Sequence, residues 1–483
     1  MIRTSRFCLL VFGLALLVFI PDKFARGDDL YISAANYGRY YHYKETKEDS
    51  VASRFQFDIS MGNFYIGAWY ELTHFVTDYS AVTSDSISQI YFGWEDNGLT
   101  IHAGNFYQTF DRGLILNAFR DDDVRFNLLL KGLKLNGRYD HIDFDVFSAT
   151  PGVWGITKPV LKGIRLKIKP LRMVRFGGAY VRMNEPDFGL GDTRTNMNEI
   201  NARITNDYFD CYVEYAQRDG YYINIFPYEL RNQKGDGTYA NLSAYYSYFT
   251  GFFEYKNYKF LAYPDLNLNY NMPPAVNHQQ RSLQSQFGST GECGYNVGFI
   301  FSPNYHWGIE LDYADAESRD SLGHFIIEKY FEIRGNYFRD NLFTISYDRL
   351  EHSEKNETTP KFEISYSLDD IHSVALTAYL IKYEPLGESV QNSGYIEKYL
   401  DFNFARSYNF SLSVGGSWSD QDMSNVSDPA PKRLGYIELN IKFHNHDLII
   451  FNGGQRGGLV CSGGLCFNRP TFQGTRVTLL SRF

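Results

Sequence analysis

Apolar and polar residues alternate singly along most of this chain. In Ile437-Glu438-Leu439-Asn440-Ile441-Lys442-Phe443, every odd position is apolar and every even one polar, which sets one row on each face of a strand. Ile327, Lys329, Phe331 and Ile333 alternate with Glu328, Tyr330, Glu332 and Arg334, and Leu400, Phe402 and Phe404 alternate with Tyr399, Asp401 and Asn403. A period of two predicts strands, and an amphipathic helix would not keep it.

The breaks between these runs are of two kinds that take turns along the chain. Short ones fall near Met61-Gly62-Asn63, Asp96-Asn97-Gly98, Asp140-His141, Pro170-Leu171-Arg172, Pro303-Asn304-Tyr305, Arg339-Asp340-Asn341, Asp369-Asp370-Ile371 and Asn445. Long polar stretches lie between them, near 45–52, 76–85, 108–128, 185–197, 218–235, 261–292, 353–360, 385–393, 419–431 and 455–470. Tight turns on one rim and long loops on the other describe an all-β transmembrane antiparallel meander β-barrel of about 24 strands, each roughly 9 to 14 residues long. A first strand at Leu30 and a last strand ending at Phe483, both on the turn side, require an even number.

Composition gives this pattern a setting. The 483 residues include 39 Tyr and 39 Phe, yet mean hydropathy is −0.35. A barrel in lipid accounts for both values, because outward rows are apolar, aromatics gather at the two interfaces and lumen rows stay polar. Backbone groups cannot be left unpaired in hydrocarbon, so the sheet is expected to close on itself. A soluble propeller would carry a repeat of fixed length, and none is visible.

The N-terminus reads as an export signal. Basic residues at Arg3 and Arg6 precede an apolar run from Phe7 to Ile20, and Ala25-Arg26-Gly27 offers small residues for cleavage. Residues 1–27 are thus expected to be a signal peptide and 28–483 the barrel. Cleavage removes four basic groups and one acid, taking the formal charge from −9 to about −12. Such acidity argues against nucleic acid as a partner.

About 24 strands enclose a wide lumen, and strand one begins close to the expected mature N-terminus, so no separate plug domain is expected and the long loops must narrow the passage. One candidate constriction holds Asp111, Arg112, Arg120, Asp121, Asp122, Asp123 and Arg125, because clustered charge is how pores select solutes. The same residues could form a solvated surface loop, or the three aspartates a calcium site. The longest loop offers His278, Gln280 and Arg281 as lid candidates, with exposed surface as the other reading. Cys461 and Cys466 can close a six-residue ring, worth roughly 2 kcal/mol by chain entropy. Cys211 and Cys293 are expected to stay unpaired. No catalytic residues, cofactor or metal site are expected, since zinc-protease, nucleophile-elbow and phosphate-loop motifs are all missing. A hydrolase assembled from distant strands is the residual enzyme reading.

The run Arg456-Gly-Gly-Leu-Val-Cys461-Ser-Gly-Gly-Leu-Cys466, followed by Pro470-x-Phe472-x-Gly474, resembles a family of uncharacterised, porin-like outer-membrane barrels of Bacteroidota and related bacteria. Gly104-Asn-Phe-Tyr107 through Arg112-Gly-Leu-Ile-Leu116 resembles that family's N-terminal signature, with Asp111 where the family has Gly. The resemblance implies architecture and location in a Gram-negative outer membrane, and no activity. The terminal Phe483, with Val477 and Leu479 in the same row, resembles the aromatic ending read by the barrel-assembly machinery.

The expected function is a channel or passive transporter for a small polar solute. A barrel with a blocked lumen, serving interaction, assembly or surface binding, is the alternative. The expected partners are outer-membrane lipid, the barrel-assembly machinery and that solute.

Overall fold

The computed structural model describes residues 30–76, 81–124, 126–151, 159–185, 193–225, 228–261, 271, 274–283, 289, 291–319, 323–337, 341–386, 394–407, 409–421, 431–462 and 465–483. The expected signal peptide and Arg125 lie outside these residues. Twenty-four strands form one antiparallel sheet in which each strand pairs with its neighbours in sequence. The sheet closes: the first strand, Leu30–Tyr43, pairs with the last, Phe472–Arg482, from Ala35 opposite Arg482 to Tyr43 opposite Gly474. Phe483 then exchanges two backbone hydrogen bonds with Ala34, at 2.7 and 3.1 Å. The chain is therefore a meander barrel in which every strand edge is covered, the condition hydrocarbon imposes.

The alternating rows sort to the two faces. In Val160–Leu171, Ile164, Leu166 and Ile168 stand outward and are each nearly half exposed. Arg165 and Lys167 point inward to Asp145 and Asp111. An exterior of this kind would cost about 1.5–3 kcal/mol for each large side chain left in water, and nothing in lipid. Turn chemistry follows the same logic. Asn97 and Gly98 take φ of 46° and 81° between two strands, the mirror-type turn that fits strand twist.

Strand lengths run beyond the expected range, from 8 residues in Leu99–Phe106 to 19 in Tyr228–Tyr246. The stretch 218–235, expected as a loop, instead continues the pairing of Phe209–Ile225 with Tyr228–Tyr246. Its polar alternate positions obscure a hairpin that outruns the apolar band. Only Ser353 and Glu354 separate Asn341–His352 from Lys355–Ser367, so 353–360 is not a loop either. The stretch 455–470 holds its own hairpin, Gly458–Ser462 with Leu465–Arg469, closed by a disulfide between Cys461 and Cys466 whose Cα atoms are 4.1 Å apart. Cys211 and Cys293 are free.

The hydrophobic core sits inside the barrel. Phe147, Ala149, Leu161, Val181, Met183 and Met197 occupy lumen-facing positions and are buried. This corrects the expectation of polar lumen rows throughout: along this arc the wall is apolar because a segment of the same chain packs on it.

Candidate functional site

That segment, residues 107–129, leaves Leu99–Phe106 and returns at Leu130–Arg138, and those two strands pair directly with each other. Phe110, Leu114, Ile115 and Leu116 are fully buried against the apolar arc. Phe110 meets Phe147 edge-on at 5.8 Å, and the Arg165 guanidinium lies 5.4 Å over the Phe110 ring. Each of these side chains contributes about 1.5–3 kcal/mol to docking. The apolar tripeptide Leu114-Ile115-Leu116 inside a polar, charged stretch is the signal that the sequence carries for this anchor.

The charged residues divide between two walls. Asp111 pairs with Lys167, and its φ of 45° lies in the left-handed region that favours glycine. Next to it, Arg112 is exposed to the lumen with its guanidinium 5.5 and 5.8 Å over the rings of Tyr212 and Tyr239, while its backbone N–H donates to Glu214 at 3.3 Å. Asp111, Glu199 and Glu214 each keep one buried oxygen without a donor, so like charges crowd beneath the segment.

Across the lumen, Arg120 donates to Asp122 at 2.7 Å, reaches Glu71 at 3.5 Å and covers the ring of Trp69. Asp122 lies 3.7 Å from Arg54, and Asp123 lies 3.8 Å from Arg469 of the stapled hairpin. Asp121 accepts from the backbone N–H groups of Asp123 and Val124 at 2.9 and 3.3 Å. A hydrogen bond from Ser462, together with those amides, holds its carboxyl below the usual range. The six described constriction candidates thus all lie on one inward segment, but not as a single ring.

The lid candidates belong to a second inward segment within 271–289. Arg281 forms a two-pronged pair with Glu357 at 2.7 and 3.3 Å, and Asn277 brackets the Arg281 backbone from both sides. His278 stacks on Tyr330 at 3.7 Å and lies 3.7 Å from Asp312, whose carboxylate raises its pKa. Gln280 is exposed at φ 54°. Asn271 donates to the carbonyls of Leu114 and Leu261, at 2.7 and 2.9 Å, and so joins the two segments.

The two segments leave one arc of the wall uncovered. A cavity of ≈ 700 Å³ lies between the first strand, the last three strands, the stapled hairpin and Asp122–Asp123, with Arg39, Glu438, Lys442 and Arg476 on its walls. A smaller one of ≈ 220 Å³ adjoins it beside Tyr379, Tyr399, Asp401 and Tyr436. Aromatic contacts run along this arc: Tyr379 stacks on Tyr399 at 4.4 Å, Tyr436 on Phe451 at 5.3 Å, and Phe472 touches Tyr41 at 5.8 Å. Arg476 pairs with Glu438 at 3.3 Å and lies 4.9 Å over Phe451. These residues come from strands far apart in sequence, and only their shared row parity hinted that they meet.

The barrel is similar to chains of known structure at low identity. An E. coli P pilus tip assembly intermediate, PapC-PapD-PapK-PapG in its second conformation, matches at 9% identity and a TM-score of 0.56, over 96% of this chain and 62% of that chain. The present chain therefore spans less than two thirds of that relative. The translocation pore of the P pilus usher PapC matches at 10% identity and a TM-score of 0.45, over 94% of this chain and 98% of that one. Pseudomonas aeruginosa OccK3 (OpdO) matches at 10% and 0.42, over 73% and 96%. At such identities the likeness carries the fold alone. No curated protein matches the sequence. The model of a family of unknown function, DUF6029, matches residues 10–302, more than half of the 483, and the chain belongs to that family.

Proposed function

We propose that the protein is an outer-membrane channel that passes a small polar solute along the uncovered arc of its lumen. The observation that carries this reading is the ≈ 700 Å³ cavity with charge of both signs on its walls, left beside the two inward segments. Its outer rows of Ile, Leu and Phe support placement in a membrane, and Phe483 at the closing seam, in the row of Val477 and Leu479, supports recognition by the assembly machinery. Asp122 stands on the wall of that cavity, whereas Arg112 rests on Tyr212 and Tyr239 away from it, so the two would not act on the solute as one ring. No group of residues in the lumen is read as catalytic.

Conductance of the purified protein in a planar bilayer tests the proposal. Steady single-channel steps are expected, and Arg476→Ala on the cavity wall should move the reversal potential toward cation preference while Asp122→Ala moves it toward anion preference. Absence of steps from correctly folded protein sinks the channel reading. It would favour the second reading, a barrel that binds or assembles a partner through its loops, which the fully buried Leu114-Ile115-Leu116 anchor supports by holding a segment inside the lumen.

A further inference from the structure

We infer that the junction between the second inward segment and the barrel wall binds a first-row divalent transition-metal cation through His278, Glu310 and Asp312. One ligand atom from each of the three lies within 4.8 Å of the others. Ligands at 2.0–2.2 Å from a shared ion stand up to about 4.4 Å apart, so small side-chain rotations complete the site. Glu310 and Asp312 belong to the strand Trp307–Ser318 and share its lumen-facing row, whereas His278 reaches them from the inward segment.

The charge around this point is unbalanced in the direction a cation corrects. Five carboxylates converge on the lumen face of three successive strands: Glu310, Asp312, Glu328, Glu332 and Asp348. Arg334 serves two of them, Glu310 at 3.1 Å and Glu332 at 2.9 Å. The Asp312 side chain is only 6% exposed and its Oδ1 has no donor partner; that oxygen lies over Gly298, which has no side chain to offer one. Glu328, 1% exposed, and Asp348 each keep a buried oxygen without a donor as well. Gln279 donates to one oxygen each of Glu328 and Asp348, at 3.4 and 2.5 Å, and His278 faces Asp312, which leaves one buried oxygen of each acid unserved; buried charges are paired or coordinate metals.

The ligand set points to the class of ion. An imidazole nitrogen beside carboxylate oxygens suits zinc, iron or manganese, whereas calcium and magnesium take oxygen alone. Stacking on Tyr330 fixes the plane of the His278 ring, and Tyr330 is itself held by a hydrogen bond to Glu332 at 2.5 Å. His278 is 39% exposed, which leaves room for water to fill the remaining positions. A cation here would tie the inward segment to the wall, independently of whether the lumen conducts.

Calorimetric titration of Zn²⁺ into the full-length, detergent-solubilised barrel, stripped with chelator, tests the assignment. One Zn²⁺ per chain is expected, weakened roughly tenfold or more by His278→Gln and by Asp312→Asn. Calcium over the same range should not compete. Because His278 lies on the inward segment and is exposed, its substitution leaves the strands intact, and retained heat-modifiable gel mobility verifies that. The assignment is overturned if the wild type takes up no zinc, if both folded variants bind as tightly as the wild type, or if calcium displaces zinc.

Discussion

Asn271 donates a hydrogen bond of 2.7 Å to the carbonyl oxygen of Leu114, 157 positions away in the chain, and through that bond two inward segments become one body inside the barrel. Asn271→Ala leaves the buried carbonyls of Leu114 and Leu261 without this donor, a loss of about 1–3 kcal/mol. Limited proteolysis of the folded barrel should then cut both segments faster, in parallel, while the strands stay protected. Faster cutting of one segment alone would show that they dock independently.

Gly474 sits at φ 148° on the last strand, and a Cβ there would come within 1.7 Å of the carbonyl oxygen of His42 on the first. Gly474→Ala therefore strikes the closing seam, where a backbone held under strain costs about 1–3 kcal/mol. The expected result is a lower folded yield and a lower melting temperature in detergent, read from heat-modifiable mobility. An unchanged yield would place the tolerance of the seam beyond what the close approach allows.

The Cys461–Cys466 bridge closes a hairpin within the loop before the last strand. Cys461→Ser with Cys466→Ser should leave the melting temperature of the barrel within a degree or two, because roughly 2 kcal/mol of local constraint does not reach the sheet. Hydrogen exchange in 458–469 should rise, and channel noise with it. A large fall in melting temperature would mean that the hairpin supports the seam.

The depressed pKa of Asp121 carries a direction with pH. Its contribution to docking the first inward segment is complete above its unfolded value, about 3.9, and is lost as pH falls through the lower folded value. Protection of residues 117–124 from hydrogen exchange should therefore drop on acidification below about pH 4, and Asp121→Asn should flatten that dependence. A variant that keeps the full acid response would assign it to another group.

Row parity carried most of the architecture. Ile437-Glu438-Leu439-Asn440 already separates lipid from lumen, and the same count puts Phe483 on the outer row at the seam. Two features stayed hidden for physical reasons. Residues 218–235 extend a hairpin past the membrane, where nothing requires the outer row to be apolar, so the strand signal fades. The buried cluster that holds Leu114-Ile115-Leu116 together with Leu161 and Met183 joins an irregular segment to wall residues, and no periodicity encodes such a meeting. For the site, 108–128 could be singled out by its charge, but the grouping of His278 with Glu310 and Asp312 exists only once the segment has folded back.

Both inward segments continue at each end into strands of the wall, one through Phe106 and Leu130, which are direct neighbours in the sheet. Material anchored in this way cannot be expelled and retrieved as an independent plug can. On the proposed channel reading, widening of the passage would come from sliding over the apolar arc, by distances a loop of fixed length permits, and the barrel would act as a sieve of nearly constant mesh rather than as a stoppered port.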